Sequence, residues 1–487
     1  MNMRLSELVK RDLSVDPQIQ GVTADSRKVR PGYLFAALPG AKVDGRSFAP
    51  RAVEQGAAAV LAGREIEGLP APLVIASDPR RAYALAAASF WGAQPATCVA
   101  VTGTNGKTSV AAFCRQMFAH AGFKAASMGT LGVRVSGPGV EDEQVTPPGL
   151  TTPDASDIAE LLARVAQSGV THLALEASSH GIDQRRLDGV KLTAAGFLNL
   201  TQDHLDYHGT MGVYRAAKLR LFETLLSRGK TAVLNADSDA YAAFAGTAVS
   251  AGQTVMSVGE AGQGLQLLAS TMLPGGQALK LAYQGRSYDL RLPLAGAFQA
   301  SNALVAAGLC IAAGLTVEQA LAGLERIEGA PGRLQRVGQG PRGGEAYVDY
   351  AHTPDGLETV LRALRPHVRG KLIVVFGAGG DRDRAKRPLM GKIAAELADI
   401  AIVTDDNPRS EVPATIRAEI LNDATGAREV GDRREAIRAG AALLADGDIL
   451  VVAGKGHEQG QIVGDVVHPF DDVAETQQAL REGALHG

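Results

Sequence analysis

Residues Val99-Ala100-Val101-Thr102-Gly103-Thr104-Asn105-Gly106-Lys107-Thr108-Ser109 run from an apolar stretch through two glycines into Gly-Lys-Thr. This order predicts a strand, a tight turn and a helix over Val110 to Ala119. The turn glycines let the backbone close around a phosphate with its amides pointing inward, and the helix N-terminus adds positive potential. Lys107 would reach the terminal phosphates and the Thr108 hydroxyl would sit on Mg²⁺. The spacing departs from the common G-x-x-x-x-G-K-[ST], because position 101 is Val. The loop glycines are therefore Gly103 and Gly106, and the loop is tighter. A nucleotide site alone leaves a plain NTPase, a kinase or a ligase open.

Further groups able to do chemistry follow later apolar runs. Glu176 ends His172 to Glu176 and opens Ala177-Ser178-Ser179-His180-Gly181, where a carboxylate suits a metal beside a phosphate loop. Ala195 to Leu200 leads into Thr201-Gln202-Asp203-His204-Leu205-Asp206-Tyr207-His208-Gly209. His204 arrives there with carboxylates, which makes a second Mg²⁺ site plausible, although Mg²⁺ prefers oxygen. Lys218 falls on a helix after Tyr214, and composition alone reads it as a surface lysine.

These groups need elements to hold them. Strand-like apolar runs alternate with helical patterns along most of the 487 residues, which predicts α/β layers with largely parallel sheets. In such sheets ligands bind beyond the carboxyl ends of strands. Breaks near Ala93-Gln94-Pro95 and Gly329-Ala330-Pro331-Gly332 divide the chain into 1–93, 94–330 and 331–487. Beyond the second break come Tyr347 to Tyr350, Leu372 to Phe376, Ile400 to Thr404 and Ile449 to Val452. Each enters a Gly, Asp or His loop. Gly252 to Leu292, rich in Gly and Gln, reads as an antiparallel excursion.

Composition limits the partners. A net charge of −3 implies no basic face, so nucleic acid is not expected. Cys98, Cys114 and Cys310 form neither a metal-ligand pair nor a disulfide ladder, which fits a reducing compartment. Met1 to Asp12 has no long apolar core of a signal peptide, and no run reaches the roughly 18–20 apolar residues of a membrane span. A cytoplasmic protein is expected.

Several motifs in one order carry a resemblance. Thr102 to Thr108, Thr151-Thr152-Pro153, Glu176 to Gly181, Asp203 to His208, Asn302, Gly332-Arg333 and Asp349-Tyr350-Ala351-His352-Thr353-Pro354 follow the pattern of a Mur ligase. The chain resembles that family over almost its whole length. The resemblance implies three domains. They are an N-terminal α/β UDP-binding domain, a central P-loop ATPase domain with a parallel sheet, and a C-terminal Rossmann-like α/β domain.

It also implies roles. Gly103, Thr104, Asn105, Gly106, Lys107, Thr108, Ser109, Asn302, Arg333 and Asp349 would surround ATP, with His352 beside them. Lys107, Glu176, His204 and Lys218 would be catalytic. Thr108, Glu176, His204 and a CO₂-derived carbamate on Lys218 would hold two Mg²⁺ ions. Carbamylation needs a neutral amine first, so nearby cations are expected to depress the pKa of Lys218. Ala24, Ser26 and the backbone of Ala41, Lys42 and Val43 would face the uridine diphosphate. Thr151, Thr152, Ser178, Gln184 and Arg186 would hold the sugar-dipeptide.

Asp406-Asn407-Pro408-Arg409 matches the family's motif for meso-diaminopimelate. That amino acid carries a distal carboxylate and ammonium where lysine has only an ammonium. Arg409 offers a planar, permanent cationic fork for a carboxylate. Pro408 stiffens the turn. By resemblance Arg382 is a second carboxylate partner, with Arg387 nearby, while Gly454 and Glu458 would bind the amino-acid head. The implied reaction is ATP-dependent addition of meso-diaminopimelate to UDP-N-acetylmuramoyl-L-alanyl-D-glutamate in peptidoglycan synthesis, by a monomer.

Overall fold

A computed structural model of the chain describes residues 2–40 and 43–485. Ala41 and Lys42, assigned above to the diphosphate, lie outside the described residues. The chain divides into two compact units, Met1–Val258 with Val305–Thr316 and Gly259–Leu304 with Val317–Gly487.

Besides the short antiparallel pair Met3–Arg4 with Gln18–Ile19, the first unit contains two larger sheets. Short apolar runs Gly21–Thr23, Tyr33–Ala37, Ala59–Ala62 and Leu73–Ile75 pair in that order, all parallel. Helix Pro79–Trp91 starts at Asp78, whose side chain accepts from the Arg81 N–H, with Pro at its first turn. Both are strong helix-start signals. The helix buries Tyr83, Ala84, Ala87 and Phe90 in a core that also takes in Ala155 and Ala159 of helix Ala155–Gln167. Tyr83 Oη donates to Asp154 at 2.5 Å, and Ser156 Oγ donates to the Val22 carbonyl at 2.8 Å.

The larger sheet of this unit runs Val140–Thr146, Gly132–Gly137, Ala125–Gly129, His172–Glu176, Thr97–Thr102, Ala194–Phe197, Thr231–Asn235, Thr254–Gly259. The first two pairings are antiparallel and the rest parallel. Thr97–Thr102 therefore lies between the two strands that carry Glu176 and lead to His204. Successive strands leave it on opposite sides, the crevice where open α/β sheets bind ligands. Helix Lys107–His120 extends the predicted helix at both ends and buries Val110, Phe113, Met117 and Phe118. Each such side chain contributes about 1.5–3 kcal/mol of apolar burial, which fixes the helix whose N-terminus closes the loop.

The second unit holds an antiparallel trio, Leu265–Leu273, Gly276–Tyr283 and Arg286–Leu292. The antiparallel excursion is thus real over 265–292. It does not extend to Thr254–Gly259, which pairs parallel with Thr231–Asn235. A six-stranded sheet follows in the order Gln335–Gln339, Glu345–Asp349, Ile449–Ala453, Leu372–Phe376, Ile400–Val403, Arg428–Glu429, parallel except at its first pairing. Apolar side chains fill both faces: Leu372, Val374 and Phe376 on one, Ile373 and Val375 on the other. Continuous apolar runs, rather than alternating ones, are what a doubly covered parallel strand requires. Hairpin Gly460–Val463 with Val466–Pro469 joins the Asp406–Arg409 turn through an Arg409–Val463 bridge.

Candidate active site

In the first unit the loop folds tightly onto its neighbours. Gly106 caps the helix at φ 91°, a left-handed conformation that favours glycine. Thr104 N–H donates to the Asn199 carbonyl at 3.0 Å, and the Asn105 N–H donates to Asn199 Oδ1 at 2.9 Å. Thr104 Oγ1 donates to the Thr201 carbonyl at 3.1 Å and lies 3.2 Å from Tyr214 Oη. The segment leading to His204 thus clamps the loop. Lys107 Nζ donates to the carbonyls of Gly103 and Thr104 at 2.9 and 2.8 Å, folded back where phosphate oxygens would compete for it.

Thr108 Oγ1 donates to Glu176 Oε2 at 3.0 Å. Glu176 Oε1 also accepts from the Thr130 N–H at 2.8 Å. Gly129 makes room for this, since a Cβ there would stand 2.0 Å from Glu176 Oε1. The adjacent hydroxyl and buried carboxylate are hard oxygen donors of the kind Mg²⁺ takes along with phosphate oxygens and water. Among the described residues no three His, Cys, Asp or Glu side chains gather to hold a metal ion by themselves.

Lys218 is not on the surface. Helix Met211–Arg220 buries Tyr214, Ala217 and Lys218, and Lys218 is 1% exposed. Its Nζ donates to the Gly103 carbonyl at 2.7 Å and lies 4.5 Å from the centre of the Tyr214 ring. Burial holds its amine well below the usual lysine range, and Lys107 adds to that effect. The larger cause is therefore desolvation rather than the neighbouring cation.

His204 stands apart from Thr108 and Glu176 in its contacts. It is left-handed at φ 52°, with Nε2 3.5 Å from Asp203 Oδ2. Its ring meets His180 edge-on at 4.9 Å, and His180 lies tilted against Tyr207 at 4.1 Å.

The residues assigned to the sugar-dipeptide form one network with Glu176. Thr151 Oγ1 lies 2.9 Å from Thr130 Oγ1. Thr152 Oγ1 donates to the Glu176 carbonyl at 3.0 Å and accepts from Ser178 Oγ at 2.9 Å. Arg186 donates to the Thr152 carbonyl at 2.6 Å and to Gln184 Oε1 at 2.8 Å. Gln184 donates to Tyr207 Oη at 3.1 Å, which donates to Asp183 at 2.8 Å. Of the diphosphate residues, Ala24 and Ser26 are half-buried at the end of strand Gly21–Thr23, and Val43 is exposed.

The second unit gathers the rest. Asn302 is buried and donates to Gln299 Oε1 at 3.0 Å. Asp349 accepts from the N–H groups of Leu334 and Ala351 at 2.6 and 2.8 Å, and burial raises its carboxyl above the usual range. Arg333 lies over the Tyr350 ring at 4.9 Å, and His457 packs on the same ring at 5.1 Å. Gly332 is forced by that packing: a Cβ would come 2.3 Å from His457 N. The carbonyl of His352 accepts from Lys386 Nζ at 2.8 Å.

The Asp406–Arg409 turn sits against the Gly379-Gly380 loop. Gly380 N–H donates to the Asn407 carbonyl at 2.8 Å, and a Cβ on Gly380 would collide with the Pro408 carbonyl at 1.9 Å. Arg409, left-handed at φ 51°, donates from Nη1 to the Gly380 carbonyl at 2.9 Å. Its Nε and Nη2 have no hydrogen-bond partner among the described residues. Asn407 Nδ2 donates to Glu458 Oε2 at 3.0 Å, and a Cβ on Gly454 would stand 3.6 Å from Asp406 Oδ2. Arg382 is exposed, 3.3 Å from the Asp381 carbonyl. Arg387 is fully buried between Glu411 and Glu419. Those two carboxylates take up its guanidinium, while Arg382 stays in solvent.

Thr130, Asn199, Tyr207, Lys455 and His457 were not picked out as site residues by sequence. Thr130 and Asn199 each follow a strand of the larger sheet by one or two residues. Polar residues just past a parallel strand are the signal that could have found them.

The Mur ligase family catalytic domain matches residues 18–88, the Mur ligase middle domain 101–310, and the Mur ligase glutamate ligase domain 332–456. A Caulobacter vibrioides protein named UDP-N-acetylmuramoyl-L-alanyl-D-glutamate–2,6-diaminopimelate ligase is 72% identical, with 99% of both chains covered. A Mesorhizobium japonicum protein of the same name is 52% identical over 98% of both. A solved structure of a ligase with that name superposes at TM-score 0.77 and 34% identity, covering 100% of both chains. An Acinetobacter baumannii protein named UDP-N-acetylmuramoylalanyl-D-glutamyl-2,6-diaminopimelate–D-alanyl-D-alanyl ligase gives TM-score 0.60 at 19% identity over 100% and 99%, a likeness of fold alone. The family matches take in the phosphate loop and the Asp406–Arg409 turn alike, and the chain belongs to the Mur ligase family, with its three-domain α/β fold.

Proposed function

We propose that this chain is the ATP-dependent ligase that joins meso-diaminopimelate to the D-glutamate of UDP-N-acetylmuramoyl-L-alanyl-D-glutamate in peptidoglycan synthesis. One observation carries the reading: Arg409 spends one nitrogen on the Gly380 carbonyl and keeps the rest of its fork open, in the same turn as the Asn407–Glu458 pair. A cation for a carboxylate and a carboxylate for an ammonium are what the distal end of diaminopimelate asks for, and lysine would use only the second. The relatives' names support the same substrate pair.

The D-glutamyl carboxylate attacks the γ-phosphate of ATP, giving an acyl phosphate and ADP. The diaminopimelate amine then attacks the acyl carbon, and phosphate leaves as the amide forms. Lys107 neutralises charge on the phosphates, and the loop amides orient them. Thr152, Ser178, Gln184 and Arg186 hold the sugar-dipeptide, and Ala24, Ser26 and Val43 the uridine diphosphate. Arg333, Asp349 and Asn302 serve the nucleotide. Thr108, Glu176, His204 and Lys218 as its carbamate would hold two Mg²⁺ ions, which supply charge neutralisation during transfer. The division at 93/94 and 330/331 follows the three parts in sequence order. Among the described residues no helix is long and apolar enough to cross a membrane. Cytoplasmic placement and a monomeric state belong to the same reading.

The test is phosphate release with the UDP-sugar dipeptide and each candidate amino acid. Turnover with meso-diaminopimelate and little with lysine is expected. Equal turnover with both removes the specificity.

A further inference from the structure

One cation at this end of the second unit is sealed from solvent. Lys455 is fully buried. Its Nζ lies 2.7 Å from Asn407 Oδ1, 2.9 Å from the Gly460 carbonyl and 3.2 Å from Asp406 Oδ1. An ammonium has three donors and no acceptor, so the Asn407 atom facing it must be the carbonyl oxygen. That oxygen also accepts from the Ile462 N–H at 3.0 Å. The amide nitrogen is thereby turned away, onto Glu458 Oε2 at 3.0 Å. An asparagine amide is otherwise close to two-fold about its last torsion. Flipped, it would set an oxygen against the Glu458 carboxylate.

Lys455 is 4.0 Å from Glu458 itself, beyond hydrogen-bond reach, so its hold on that carboxylate runs through Asn407. Burial pulls the Lys455 amine below its usual range while Asp406 pulls it up. Three oxygens around one nitrogen keep the donor role. Lys455 and Arg433 stand against Asp406, Glu458 and Asp472, and Arg433 is tied to Asp472 at 2.7 Å with both side chains fully buried. Of these three carboxylates Glu458 is the half-exposed one, its side chain reaching solvent.

We infer that Lys455 is a positioning residue for the incoming amino acid: it fixes which way the Asn407 amide faces, and that amide holds the Glu458 carboxylate to receive the substrate's ammonium. The inference rests on the amino-acid site proposed above.

A double-mutant cycle tests it. Lys455→Met, Glu458→Gln and the double variant are compared by KM and kcat, with melting curves as a check of folding. Each single change is expected to raise the KM for meso-diaminopimelate about 10- to 100-fold, with the KM for ATP and for the UDP-sugar dipeptide unchanged. The double variant should match Glu458→Gln within about twofold, because both changes act through one carboxylate. Losses that multiply overturn the inference, as does an unmoved diaminopimelate KM in Lys455→Met. If Lys455→Met does not fold, Asn407→Leu takes its place in the cycle and multiplying losses overturn the inference equally. Wild-type protein that fails to turn over diaminopimelate overturns both this inference and the substrate reading; active wild type with a multiplying cycle overturns this inference alone.

Discussion

Lys107 and Lys218 donate to the same carbonyl oxygen, that of Gly103, at 2.9 and 2.7 Å. Two ammonium groups on one acceptor repel, and Lys218 has its side chain buried besides. The neutral amine is what relieves both costs, and a neutral amine is the form that reacts with CO₂. A carbamate on Lys218 would convert the repulsion by Lys107 into attraction.

Lys218→Ala is therefore expected to lower turnover by about 10²–10³-fold and also to lower the melting temperature, because it empties a fully buried site and removes a donor from the Gly103 carbonyl. Short carboxylates added to the assay should restore part of the activity by standing where the carbamate oxygens stood. Undiminished turnover in the variant would show that no carbamate is needed.

Gly181→Ala probes the dipeptide side. In an open helix the change would favour the helix by about 1 kcal/mol. Here the new Cβ would stand 2.3 Å from Thr152 Cγ2, so overpacking wins. Thr152 links the Glu176 carbonyl to Ser178 and Arg186. The expected cost is about 1–3 kcal/mol of stability, with a raised KM for the UDP-sugar dipeptide and an unchanged KM for diaminopimelate. Calorimetry and steady-state kinetics check the two parts separately, and an unmoved dipeptide KM removes Thr152 from that site.

Much of this was legible in residue order. Gly-Lys-Thr between an apolar run and a helix located the loop, because glycine, helix start and lysine each have a local reason to be there. Leu372 to Phe376 and His172 to Glu176 matched their strands residue for residue. What escaped was set by distant neighbours. Lys218 reads as a surface residue because its burial comes from the Gly103 loop, 115 positions away in sequence. Arg382 and Arg387 look interchangeable on paper, yet only the second finds Glu411 and Glu419. Thr254–Gly259 was grouped with the antiparallel strands because strand direction follows from the connection, not from composition.

Arg409→Lys keeps the charge and removes the fork. The backbone there is held independently, by Arg409 N–H to the Ile462 carbonyl at 3.0 Å and Gly464 N–H to the Arg409 carbonyl at 2.7 Å, so the change is local. A lost charge-assisted bond of about 1.5–3 kcal/mol should raise the KM for meso-diaminopimelate about 10- to 100-fold. Weak turnover with lysine should stay as it was. A variant whose preference between the two amino acids equals that of the wild type would place the carboxylate elsewhere.

His457 makes stability depend on acid. Burial, reinforced by Arg333, pushes its imidazole down to about 4, against 6.5 in the unfolded chain. Nδ1 is buried with no partner, so the folded state has no place for a second ring proton to be solvated. Between those values the unfolded chain binds the proton and the folded chain does not. Stability is therefore complete above pH 6.5 and falls as pH drops from 6.5 toward 4. Because part of the ring meets solvent, the loss is discounted to roughly 1–2 kcal/mol. His457→Phe keeps the packing on Tyr350 and removes the titrating group, so its melting temperature should fall less than that of wild type over this window. His172, His180 and His208 are also held down by burial, but they titrate in both proteins and cancel in the difference. Parallel curves for the two proteins would mean that the ring accepts its proton as readily folded as unfolded.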